Sequence, residues 1–168
     1  MKKHLKSIIS LFSICAVIAM LLALTNYFTA PIIKENEDRV ANAALLEVLP
    51  DADKFEKISA DGLPETITDV YKADNGGYVF KLNTSGYKNN LIIMCGVKAD
   101  GSVSKAICIS SEETLEKEKT YGDNFAGLSL DKVDTVDTIG GATKTTKAYR
   151  GAIKDALNAF NMLKGGNE

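Results

Sequence analysis

The run Asp137-Thr138-Ile139-Gly140-Gly141-Ala142-Thr143 places an acid, two glycines and a hydroxyl within seven residues. Downstream, Ala148, Ala152, Ile153, Ala156, Leu157 and Phe160 recur at three- and four-residue spacing, the period of an amphipathic helix. Thr143 therefore stands where a helix begins, beside first-turn N–H groups without intrahelical partners and beside the positive end of the dipole. Such a terminus is suited to phosphate. The glycines lack the Cβ that would keep a ligand away from the backbone. A phosphate held here, with the Thr143 hydroxyl in reach, suggests the phosphate ester of a cofactor as well as simple anion binding. Taken alone, Gly-Gly-Ala-Thr also suits an ordinary loop with a helix cap. The elements around the run have to decide.

The N-terminus supplies the first of them. Residues 7–33 carry no charge, and residues 8–24 are almost wholly apolar. A bilayer core needs about 20 such residues, so residues 7–28 suffice to span it, with Tyr27 and Phe28 near an interface that favours aromatic side chains. A cleaved signal peptide is the competing reading, but its apolar core runs only ~7–15 residues before small residues of Ala-x-Ala type. This run is longer and no clean cleavage site follows. Cys15 does not read as a lipoprotein acceptor, because Ile14 before it is too large. Lys2, Lys3 and Lys6 precede the span, whereas Lys34 and Arg39 after it are mixed with Glu35, Glu37 and Asp38. The positive-inside rule then puts the N-terminus in the cytoplasm and the remaining domain outside.

That domain is about 135 residues long, enough for one core. Setting aside the three N-terminal lysines, its 17 Lys and Arg face 22 Asp and Glu, a net of −5. Nucleic acid needs a basic face and is not an expected partner. The single His4 lies in the basic flank, and no Cys/His spacing suggests a metal site. Cys95 and Cys108 lie in apolar strand-like runs and read as buried small hydrophobes. A disulfide between them is the other reading for an extracytoplasmic domain.

Ala30-Pro31 predicts a break in the membrane helix, and Ile33, Val40, Ala44, Leu45 and Val48 supply the stripe of a second helix up to Leu49-Pro50. Val70-Tyr71, Tyr78 to Leu82, Leu91 to Val97 and Val103 to Ile109 read as strands. Asn75-Gly76-Gly77 and Asp100-Gly101 read as the hairpin turns between them. A polar helical stretch follows over residues 112–119, and Phe125 and Leu128 should pack on the core. The expected organisation is a basic flank and transmembrane anchor over residues 1–30, a juxtamembrane helix over 31–50 and an extracytoplasmic domain over 51–168. That domain is α+β, an antiparallel sheet with helices packed on it.

With these elements in place, the motif resembles the flavinylation sequence of the FMN-binding domain family, Asp-x-x-Ser/Thr-Gly-Ala-Thr/Ser. Asp137, Gly141, Ala142 and Thr143 match it; Gly140 stands where the family has Ser or Thr. The order of features is similar to the G subunit of Rnf-type ion-translocating ferredoxin:NAD oxidoreductases, and more distantly to the C subunit of sodium-translocating NADH:quinone reductase. Thr29-Ala30-Pro31-Ile32-Ile33 with Asn36, then Leu49-Pro50-Asp51-Ala52, match that family's exit from the membrane. Gly86-Tyr87 and the strands split by Asp100-Gly101 match its sheet. The resemblance implies a single anchor and an extracytoplasmic flavodomain. FMN would be joined to Thr143 through a phosphoester by a flavin transferase that cleaves FAD. It implies contacts to FMN from Asp137, Gly140, Gly141, Ala142, Lys144 and Thr145, and from Glu113 and Thr114 in a loop over the flavin. In that loop Leu115-Glu116-Lys117-Glu118 replace the family's glycine-rich turn. Tyr87, Tyr121 and Tyr149 are candidates to touch the flavin ring. The implied role is an electron-carrying subunit among other membrane subunits rather than a catalyst on its own. A stand-alone FMN-binding carrier for extracellular electron transfer, or an anchored domain that has lost flavin and only binds partners, remain as alternatives.

Overall fold

A computed structural model describes the backbone of residues 2–112 and 116–165, with side chains for 11–30, 43–112 and 117–165. The chain divides into two units, Met1–Ala41 and Asn42–Glu168. Helix α1 (Lys2–Val48) opens the first and ends in the second. Within it, Leu11–Ala30 form a 20-residue stretch long and apolar enough, by length and composition, to cross a membrane. Two of its hydroxyls are satisfied locally. Thr25 Oγ1 donates to Leu21 O and Thr29 Oγ1 to Thr25 O, each at 2.8 Å. Such back-bonding hides a hydroxyl that hydrocarbon would leave without a partner.

The helix runs through Ala30-Pro31 without a break, which corrects the expected interruption and the separate helix over 31–50. A proline deletes one backbone donor and crowds the carbonyl four residues back. The flanking Thr29-Ala30 and Ile32-Ile33 contain no turn former to offer the chain another course, and helices of membrane type tolerate one such loss.

From Asn42 onward the chain builds a five-stranded antiparallel meander, with strand order matching sequence order. Its strands are β1 (Phe55–Ile58), β2 (Ile67–Ala73), β3 (Tyr78–Thr84), β4 (Leu91–Val97) and β5 (Val103–Ser110). The two expected hairpin turns form as read. Gly77 N–H donates to Asn75 Oδ1, and Ser102 N–H to Asp100 Oδ1, both at 2.9 Å. Strand β1, which the sequence pattern does not announce, is short and half charged, as suits an edge strand. A register shift between Ile67 and Asp69 lets Ile67 and Val70 enter the same core.

The pleat sends Tyr78, Phe80, Leu82, Leu91, Ile93, Cys95 and Val97 to one face. Helix α3 (Thr143–Gly165) covers that face with Tyr149, Ala152, Ile153, Ala156, Leu157 and Phe160. Each large side chain so buried is worth about 1.5–3 kcal/mol. On the other face the last turn of α1 presses close: a Cβ on Gly96 would sit 2.3 Å from Val48 O. Leu45, Val48 and Leu49 are buried there. Between β5 and α3 come α2 (Glu116–Lys119) and two 3-10 helices, Tyr121–Phe125 and Leu130–Thr135. Phe125 is buried and Leu128 packs against the core, as the sequence predicts. The fold is α+β, an antiparallel sheet with helices packed on it.

Candidate functional site

The run 136–142 is the last link between the second 3-10 helix and α3, and its geometry is fixed from several sides. Ala142 N–H donates to Ile139 O at 3.0 Å, closing a turn whose third residue, Gly141, has φ +86°. A positive φ at that position is the type II pattern and selects Gly. Gly140 lies outside the left-handed region, and a Cβ at either glycine would meet nothing within 4 Å. The backbone of this turn is therefore open to a ligand on its outer side.

Thr143 is exposed and is the first residue of the 23-residue helix α3, as the spacing predicts. The N–H groups of its first turn have no intrahelical acceptor. Asp137, Gly140, Gly141 and Lys144 are also exposed around it. Ala142 and Thr145 instead turn inward, Ala142 at 4% and Thr145 at 1% exposure. The Thr145 side chain, which the resemblance puts beside the ligand, has its Oγ1 accepting from Tyr87 N–H at 3.3 Å and so ties the β3–β4 loop to the helix start. The helical period explains the inward turn, since residue 145 points about 200° away from residue 143. Glu113 and Thr114 lie outside the described residues.

The three candidate tyrosines separate cleanly. Tyr149 is fully buried and Tyr121 is 3% exposed. The Tyr121 hydroxyl is already committed, donating to Asp137 O at 2.8 Å. Tyr87 alone among them offers an open ring, 68% exposed, in a loop held to the first turn of α3. Tyr121 still contributes its edge to an open cleft of about 460 Å³, lined with Asn124, Leu128 and residues 135–139. This cleft mixes apolar and polar groups immediately beside the motif. A cleft of similar size, about 480 Å³, lies at the β1–β2 end of the sheet among Lys54, Phe55, Glu56, Lys72 and Asp74, and contains no motif residue.

Residues that the sequence did not single out complete the loop's support. Thr146 Oγ1 accepts from Ile139 N–H at 3.2 Å and donates to Ala142 O at 2.9 Å. The Arg150 guanidinium donates to Val136 O. Lys154 Nζ meets Asp134 Oδ2 at 2.6 Å, a surface pair worth no more than about 1 kcal/mol. The signal that could have found Thr146 and Arg150 is their spacing of three and seven from Thr143, which puts all three on one helix face. Burial pushes the Tyr121 phenol up, and the neighbouring Arg150 charge works against that rise.

The cysteines are free thiols. Burial pushes Cys95 up to about 12 and raises half-buried Cys108 in the same direction. Among the described residues, no group of three or more His, Cys, Asp or Glu is placed to hold a metal ion.

The model of the FMN-binding domain matches residues 86–158, from the Tyr87 loop through most of α3. The G subunit of the Na(+)-translocating ferredoxin:NAD(+) oxidoreductase complex of Acetobacterium woodii is 31% identical over 185 residues, covering 91% of this chain and 89% of that protein. The G subunit of the proton-translocating ferredoxin:NAD(+) oxidoreductase complex of Clostridium ljungdahlii is 25% identical over 90% of this chain and 89% of its own length. The G subunit of the ion-translocating oxidoreductase complex of Methanosarcina acetivorans is 27% identical over 98% of each. The chain belongs to this family of Rnf-type complex G subunits and is an electron-transport flavoprotein subunit built on an FMN-binding domain.

Proposed function

We propose that this subunit carries its FMN covalently, through a phosphoester to Thr143, and passes electrons as a membrane-anchored component of an Rnf-type complex. The observation that carries the reading is the exposed Thr143 hydroxyl at the start of α3, next to the open Gly140-Gly141 backbone and the cleft beside it. These features fit the group. A phosphodiester at this terminus gains about 0.3–1 kcal/mol from the helix dipole, and exposed Lys144 adds positive charge. The Tyr87 ring and the cleft at Tyr121, Leu128 and residues 135–139 are the surfaces available to the ring system.

In the attachment step the Thr143 oxygen forms a bond to the FMN phosphorus of FAD while the pyrophosphate bond to AMP breaks. The hydroxyl proton leaves with AMP or to solvent, and a flavin transferase supplies the catalysis. When bound, FMN supplies the redox chemistry, and the protein supplies position and electrostatics. A covalent tether keeps the flavin at high effective concentration where a dissociating one would be lost by dilution. The apolar stretch Leu11–Ala30 supports the anchor, and the flanking lysines support a cytoplasmic N-terminus with the flavodomain outside. Partners are the other membrane subunits of the complex and, during maturation, the transferase.

The test is co-expression with a flavin transferase followed by denaturing electrophoresis. The wild-type band should fluoresce and the Thr143→Ala band should be dark. A dark wild-type band, or equal fluorescence in both, refutes the attachment.

A further inference from the structure

We infer that Arg150, Thr146 and Tyr121 are positioning residues that hold the attachment loop in the form the transferase recognises. The inference rests on the Thr143 reading above. Three successive stretches of the loop are hooked by side chains that belong to other elements or to later turns of α3. Arg150 takes the carbonyl of Val136, Tyr121 that of Asp137, and Thr146 both the N–H of Ile139 and the carbonyl of Ala142. The hooks themselves are packed and preset. Thr146 is fully buried and Tyr121 nearly so. The Tyr121 ring is held edge-on between Phe125 and Tyr149, with centroids 5.3 and 5.4 Å away.

A loop containing two adjacent glycines has more unfolded freedom to lose than any other pair, so it needs external restraint to present one conformation. The hooks supply that restraint from the inner side and leave the outer side of Gly140 and Gly141 clear. Because Thr146 and Arg150 share a helix face with Thr143, the helix that carries the acceptor also fixes the approach to it. The consequence is kinetic. If the competent loop is only a fraction of the population, the apparent affinity for the transferase falls by that fraction, while turnover from the bound complex is unchanged.

The test measures initial flavinylation rates of the full chain by purified transferase with FAD and Mg²⁺, as a function of chain concentration. Arg150→Met, which removes a charged hydrogen bond, should raise KM severalfold, by up to about tenfold, at unchanged kcat. Tyr121→Phe should raise it less, and Arg150→Lys, which keeps a cationic donor, should recover part of the loss. Hydrogen exchange of the amides at residues 139–143 should accelerate in Arg150→Met while that of β4 does not. Leu157→Ala controls for a general loss of stability, since it weakens the core of α3 without touching the loop. An unchanged KM in Arg150→Met, or an equal rise in KM for Leu157→Ala, overturns the inference and leaves Thr143 as the acceptor. A wild-type chain that takes no flavin overturns the Thr143 reading itself, and this inference with it.

Discussion

Substituting serine at Gly140 and at Gly141 in turn should have opposite effects, although the two residues are neighbours in one exposed turn. At Gly141 the backbone has φ +86°. An added Cβ meets no atom within 4 Å, so the penalty is conformational alone, about 1–2 kcal/mol for a left-handed residue with a side chain. That corresponds to about a 5- to 30-fold drop in the ratio of the native turn to its alternatives. At Gly140 there is neither a positive φ nor a contact. Serine there costs no strain and restricts the unfolded loop, a gain of about 0.4–1 kcal/mol, or roughly 2- to 5-fold. It also restores the hydroxyl that related flavinylation motifs carry. Flavin per protein should therefore rise in Gly140→Ser and fall in Gly141→Ser, read as fluorescence of the denatured band after a short co-expression with transferase. Time matters, since both variants would approach saturation if modification ran to completion. A loss of flavin in Gly140→Ser, or wild-type flavin in Gly141→Ser, would show that the turn is not held as described.

Two further outcomes follow from the core. Cys95, held up at about 12 against an ordinary 9.0, has a thiolate fraction of about 10⁻⁴ at pH 8, so iodoacetamide should leave it unlabelled until the chain unfolds. Between pH 9 and about 12 the unfolded chain releases this proton and the folded chain keeps it. Stability should thus fall with rising pH in that window, by up to about 1.4 kcal/mol per pH unit, and Cys95→Ala should flatten the slope in urea titrations. Gly122→Ala places a Cβ 2.2 Å from Ala106 O, backbone that cannot step aside. It should cost about 1–3 kcal/mol or more, visible as a lower thermal midpoint, and a variant as stable as wild type would contradict the close approach of residues 121–125 to β5.

The sequence by itself determined the parts governed by local periodicity. The apolar run read over residues 7–28 (which overlaps the observed stretch Leu11–Ala30), four of five strands and both hairpin turns could be read because uninterrupted apolarity, two-residue alternation and turn residues are local signals. The helix start at Thr143 was legible for the same reason: an apolar stripe of period 3.6 needs no partner to be recognised. Helix α1 continues through Pro31 for a local reason that the residue pattern had hidden: one missing donor weighs less than the loss of a helix with no competing turn nearby. Tertiary structure decided what depends on residues far apart. It placed the polar Phe55–Ile58 segment at the sheet edge as a strand, through pairing with β2 that no local pattern announces. Among three equivalent-looking tyrosines it buried Tyr149, committed the Tyr121 hydroxyl and left Tyr87 open, since exposure is set by what packs around a ring rather than by its neighbours in sequence. Thr145 and Thr143 have the same chemistry and stand two positions apart, yet the helix turns one inward and the other to solvent. The hooks on the loop, Thr146, Arg150 and Tyr121, became visible only once β5, the 3-10 helix at Tyr121–Phe125 and α3 were brought together.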